Sequence, residues 1–283
     1  MKSSFPKQIV LSGCFVALLG GYSAMADSEL DNALQRSAQL KEPLIILVAE
    51  SGQSHADDAA LKLMDSPAIA AMTKQVVTVV LDLSVSRNRA VAARFHPVET
   101  PLLLCLSSEG VIISRDEKHI SKSELLKRIE DARQHGAELD AKLDQLREDA
   151  AKGGDGTEAR LRLSDFLLQH RNSFEAIPVL EGVVHSKTNS PPARVRAWVS
   201  LARAHLWVME VEKARHEADD LIATLGQEDP EAIAGGNLIH GIQDANGKRA
   251  ALAREEFRAA IAASPDSAYG KEAKEALVKL PKK

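Results

Sequence analysis

Apolar and polar positions follow two different rhythms along this chain. Pro43 to Ala49 is a continuous apolar run rich in β-branched residues, with Lys41-Glu42 before it and Glu50 after it. That pattern predicts a strand buried on both faces. Ser54 to Met64 carries Ala59, Ala60, Leu63 and Met64 at helical spacing, and Ser66-Pro67 opens a further helix with proline in its first turn. Val76 to Leu83 reads as a second strand, Asn88 to Phe95 as a short helix, Pro101 to Leu106 as a third strand and Val111 to Ser114 as a fourth. Ser107 to Gly110 has the length of a hairpin turn between the last two. Ser121 with Glu124 three residues on forms a capping box that starts another helix.

Beyond residue 156 the strand pattern stops and a repeat near 38 residues takes over. The middle copy has Trp198, Leu201, Ala202 and His205, then Ala214 and Ala218. An earlier copy has Leu163, Ser164, Leu167, Ala176 and Leu180, and a later one Gly241, Ala253, Phe257, Ala260 and Pro265. The alanines at 176, 214 and 253 set steps of 38 and 39 residues. Small residues recur where two helices of a hairpin approach closely, and Glu272 to Leu280 is expected to cap the array. The charged, Ala-rich stretch 130–151 extends the helix begun at Ser121, and Gly153 to Gly156 reads as a linker.

The first 26 residues have the three parts of a secretory signal. Lys2 and Lys7 supply positive charge, Ile9 to Leu19 is a short apolar run, and Ala24-Met25-Ala26 ends in small residues. The run is shorter than the ~20 residues a spanning helix needs. Leu11-Ser12-Gly13-Cys14 resembles a lipoprotein box, but the strongest apolar stretch follows that cysteine. The reading is therefore cleavage after Ala26, no lipid anchor at Cys14 and no membrane insertion afterwards. The expected parts are a signal at 1–26, an α/β domain at 27–135, a helical extension and linker at 136–155, and helical repeats at 156–283.

Composition narrows the choices. Lys+Arg 36 against Asp+Glu 40 gives a net charge of −4, which loss of Lys2 and Lys7 would move to −6. Without a basic patch, nucleic-acid binding through phosphate contacts is not expected. Loss of Cys14 would leave Cys105 as the single thiol, so an internal disulfide is excluded. Cys105 lies in the Leu-rich third strand, where a thiol behaves as a small hydrophobe.

The order β-α-β-α-β-β-α, with a proline opening the third strand, resembles the thioredoxin fold. The segment from Phe95 through Val98 and Thr100 to Pro101 is similar to that family's approach to its cis-proline loop. Where the family carries its cysteine pair, this chain has Ser51-Gly52-Gln53-Ser54. The family's buried carboxylate would fall near Ile45 or Ile46. A serine hydroxyl neither ionises near neutral pH nor forms a disulfide, so thiol–disulfide exchange is not expected here. The resemblance implies that Thr100 and Pro101 offer backbone groups to an extended peptide. The second half resembles tetratricopeptide repeats, which implies a concave face for protein segments. In the middle copy its inward positions would be Arg196, Val199, Arg203, Leu206 and Trp207, with Trp198 structural. The domain order resembles the chaperedoxins, which hold unfolded clients.

The expectation is thus a periplasmic, non-enzymatic protein with proteins or extended peptides as partners and with no cofactor or metal. It holds clients or acts as a scaffold. The alternative is a thiol–disulfide enzyme working through Cys105. Other motifs fall short of a site. Ser54 and His55 are neighbours and face different ways. Gly247-Lys248 lacks the first glycine and the Ser or Thr of a phosphate loop, having Ile242 and Arg249 there. His216 and Asp220, at i, i+4, read as a solvated pair.

Overall fold

The computed structural model describes residues 29–72, 75–92, 95, 97, 99–118, 120–152, 156–186 and 189–281. The signal segment with Cys14, the residues His96, Val98 and Lys187, and most of the glycine-rich linker lie outside the described residues.

The chain opens with helix α1 (Glu29–Leu40) and strand β1 (Leu44–Ala49). Helices α2 (His55–Met64) and α3 (Pro67–Met72), strand β2 (Val77–Asp82) and helix α4 (Ser86–Ala92) follow. Strands β3 (Leu102–Leu106) and β4 (Ile112–Glu117) complete the sheet. Its order is β2-β1-β3-β4. β1 pairs parallel with β2 and antiparallel with β3, and β3 pairs antiparallel with β4. Side-chain alternation splits the strands between two cores. Leu44, Ile46, Val48, Leu102 and Leu104 pack with Leu30 and Ala33 of α1. Ile45, Leu47, Leu103 and Cys105 pack on the other face with Ala60, Ile69, Leu125 and Ile129. This is why β1 and β3 read as unbroken apolar runs: both of their faces are covered.

Three elements of the sheet half differ from the sequence reading. α1 was not anticipated, since only Leu30, Ala33 and Ser37 are buried along it. β4 runs three residues past Ser114, because Arg115, Asp116 and Glu117 form a polar edge still paired to β3. Arg115 lies 2.5 Å from Glu117, and Asp116 is 2.7 Å from Arg128. The expected short helix is also shifted, beginning at Ser86 rather than Asn88.

Helix α5 (Lys122–Ala151) starts at the capping box: Ser121 Oγ accepts from the Glu124 N–H, and Glu124 accepts from the Ser121 N–H. Its first half covers the sheet, whereas Leu143 and Leu146 join the core of the helical half. Helices α6 (Thr157–Gln169), α7 (Ser173–Val184), α8 (Pro191–Trp207), α9 (Val211–Leu225), α10 (Pro230–Asn246), α11 (Ala250–Ala263) and α12 (Ala268–Lys279) follow. They form three hairpins and a final helix, which begins four residues earlier than expected.

The turns inside the hairpins are copies of one another. Arg171, Met209 and Lys248 occupy equivalent positions with φ of 55°, 59° and 58°. The residue after each donates its N–H to the carbonyl five back: Asn172 to Leu167, Glu210 to His205 and Arg249 to Asp244. The left-handed residue itself donates three back, to Leu168, Leu206 and Ala245. Each is a Schellman closure. Ala176, Ala214 and Ala253, the alanines that set the period, are all fully buried.

The two halves pack against each other. Val111, at the β3–β4 turn, belongs to the helical core. His170 Nδ1 lies 3.0 Å from the Ile112 carbonyl, which can only accept, so Nδ1 carries the proton. Among the described residues no helix is long and apolar enough to cross a membrane.

Candidate functional site

The first candidate lies where β1 ends and α2 begins. Gly52 takes φ +76 in a four-residue turn closed by Gln53 N–H donating to the Glu50 carbonyl at 3.1 Å. Such a turn position favours glycine because a side chain is strained there. Ser51 Oγ–H donates to Asp82 Oδ2, and the Ser51 and Ser84 N–H groups donate to Asp82 Oδ1 at 3.1 and 2.9 Å. The Ser51 hydroxyl bond is the main cause that holds the Asp82 carboxyl down to about 2. Ser54 caps α2: its Oγ accepts from the Asp57 N–H at 3.1 Å and donates to Asp57 Oδ2 at 2.5 Å. Asp57, only 1% exposed, also accepts the Glu50 N–H at 3.2 Å.

Both serines of the Ser-x-x-Ser segment are thus committed to carboxylates. Sequence spacing could not reveal this for Ser51, because its partner is 31 residues away on β2. The buried carboxylate of this region also belongs to α2, not to the strand positions Ile45 and Ile46, which are both fully buried.

A cleft of about 400 Å³ opens beside this loop, lined by Gln53, Ser54, Asp57, Leu83, Pro97, Glu99 and Thr100. Ser54 and Thr100 therefore share one cleft, while Ser51 is turned to Asp82. The Thr100–Pro101 peptide is cis, and Pro101 is buried, with its carbonyl accepting from the Lys118 N–H at 3.0 Å. Cys105 is fully buried in β3, and burial pushes its thiol up to about 12. A thiolate at neutral pH is not available from it.

The second candidate is the inner face of the helical half. Arg196 pairs with Glu158, its equivalent one repeat earlier, at 3.3 Å, and with Asp165 on the same helix α6. Arg203 reaches past α10 to Glu272 on α12 at 2.6 Å. Gly235 and Gly236 thin α10 at this point, and the Tyr269 ring lies 3.6 Å from where a Gly235 side chain would begin. The expectation of one open groove therefore needs correction. Val199 is 2% exposed, packed on Gly235; Leu206 is partly buried; and both arginines are neutralised within the fold. Trp207 alone of the five is free, at 49% exposed. Trp198 sits in the core at 5%, with the Arg194 guanidinium 5.1 Å from its ring.

Two histidines of the helical half lie beside carboxylates. His216 and Asp220 form an exposed pair at 3.4 Å. His240 is buried 3.1 Å from Asp219. Among the described residues no group of three or more His, Cys, Asp or Glu is arranged to hold a metal. No protein-family model matches the chain, and no curated protein matches it.

Proposed function

We propose that this is an exported, redox-inactive protein that binds other proteins, with a thioredoxin-like half joined to tetratricopeptide-like hairpins, in the domain order of the chaperedoxins. The observation that carries the redox-inactive part is the pair of serine–carboxylate bonds. Ser51 with Asp82 and Ser54 with Asp57 fasten the loop by hydrogen bonds where the thioredoxin family has a disulfide. The sheet order β2-β1-β3-β4, the cis Thr100–Pro101 peptide and the cleft between Ser54 and Thr100 support the thioredoxin-like reading. Three equivalent turns spaced by 38 and 39 residues support the repeat reading. Stacked hairpins of this kind present extended surfaces, and binding is their usual use.

The test is a pair of assays on the chain lacking residues 1–26. It is expected to suppress aggregation of a heat-unfolded enzyme in proportion to its concentration, and to leave insulin disulfides unreduced. Insulin reduction that disappears in Cys105→Ala would overturn the proposal in favour of thiol chemistry. The buried position of Cys105 argues against that outcome.

A further inference from the structure

The helical half displays apolar side chains along the edge formed by its hairpin turns. The helices alternate in direction, so the α6–α7, α8–α9 and α10–α11 turns lie at the same end. At that end Phe174, Trp207, Met209 and Leu252 are each about half exposed or more. Large apolar groups gathered on one surface mark an interaction site more often than chance exposure does. The backbone adds an independent sign. Each turn closes with a left-handed residue, a position where glycine carries no penalty. Here Arg171, Met209 and Lys248 hold it instead. A cation near a helix C-terminus gains from the dipole, but Met209 has no such gain. A strained position that keeps a long side chain points to a use for that side chain.

Charge identifies what fits. Arg171 and Lys248 are exposed and make no ion pair among the described residues. The carboxylates along this edge are occupied, Glu175 by Arg147, Glu210 by His205 and Lys213, and Asp244 by Arg249. Glu212 is the exposed exception on α9. The edge is therefore an apolar centre at Trp207 and Met209 with a free cation one repeat away on either side. The inner face has its arginines already paired.

We infer that this turn edge, rather than the inner face, docks partner proteins, and that it selects acidic segments carrying large apolar side chains. The inference rests on the protein-binding reading above and names the surface and the partner chemistry for it.

The test uses fluorescence anisotropy of the chain lacking residues 1–26. The probes are a labelled peptide of Glu, Asp, Leu and Phe and its counterpart with Lys for each acid. The acidic peptide is expected to bind and the basic one not. Trp207→Ala should weaken binding by about tenfold or more. Met209→Gly should weaken it too while raising the melting temperature, because it removes both the contact and the strain. Glu212→Lys should tighten binding, and Arg203→Ala should leave it unchanged. Equal binding of both peptides, or Met209→Gly that melts higher and binds as before, would overturn the inference. So would tight capture on anionic phosphatidylglycerol vesicles, which would make the edge a lipid contact. If Arg203→Ala alone abolishes binding, the inner face is the site: the inference falls and the protein-binding reading stands. If no peptide binds, the inference fails, and aggregation suppression by the same sample decides whether the broader reading fails with it.

Discussion

Arg147 and Glu175 meet at 2.6 Å across the junction between the long helix α5 and the first hairpin, while the same guanidinium reaches Glu109 of the β3–β4 turn at 3.1 Å. One side chain therefore touches the sheet, the bridging helix and the repeats. Its neighbour Asp140 holds the same turn, accepting from the Ser108 and Glu109 N–H groups at 3.1 and 3.2 Å.

Arg147→Met should cost about 1.5–3 kcal/mol, the range for hydrogen bonds to charged groups. Both tryptophans lie in the helical half, whereas Cys105 lies in the sheet. Urea melts followed by indole fluorescence and by Cys105 alkylation should coincide in the parent chain. They should separate in the variant if the junction couples the two cores.

The tryptophans themselves should behave oppositely. Trp198→Ala empties a core position and should cost about 3–5 kcal/mol. Trp207→Ala removes a side chain that is half in water and should change stability by no more than about 0.5 kcal/mol. Thermal melts of the two variants side by side check this.

The loop at Ser51 should be acid-sensitive. The Asp82 carboxyl sits at about 2 in the fold against an ordinary value of 3.8. A depressed carboxylate stabilises the fold fully above the unfolded value and loses that contribution as pH falls toward the folded one. The difference in stability between the parent and Ser51→Ala should therefore be constant above pH ~5 and shrink between pH ~4 and ~2. A difference that persists unchanged at the acid end would show that Asp82 does not depend on Ser51.

Cys105 should resist iodoacetamide in the native chain and react fully in urea, since only the thiolate attacks and burial raises this thiol to about 12. Mass spectrometry before and after denaturation reads the result directly. In Ser51→Cys/Ser54→Cys the two new thiols should be the reactive ones, with Cys105 still silent.

Much of the framework was legible in the sequence because it depends on local chemistry. The unbroken run from Leu44 to Ala49, the Ser121–Glu124 box and the alanines at 176, 214 and 253 each announce an element through their own neighbours. What escaped depends on residues far apart in the chain. Arg203 and Glu272 are 69 positions apart, and no periodicity foretells that two helices flanking α10 come within reach. That contact is why Arg203, expected on an inward face, is not free to meet a ligand. Helix α1 escaped for another reason: its apolar stripe is thin, with only Leu30, Ala33 and Ser37 buried along it.

The partition of α5 between two cores bears on how this chain can be divided. Cutting at the glycine-rich segment before Gly156 looks natural, yet it would strip Val111, Leu143 and Leu146 from around Leu161 and Val183. The hairpins released that way would show bare hydrocarbon to solvent and stick to one another. A fragment meant to stand alone has to carry the back half of α5 with it. Recombination between genes would face the same constraint, because a border drawn at the glycine-rich segment cuts through a shared core rather than between two.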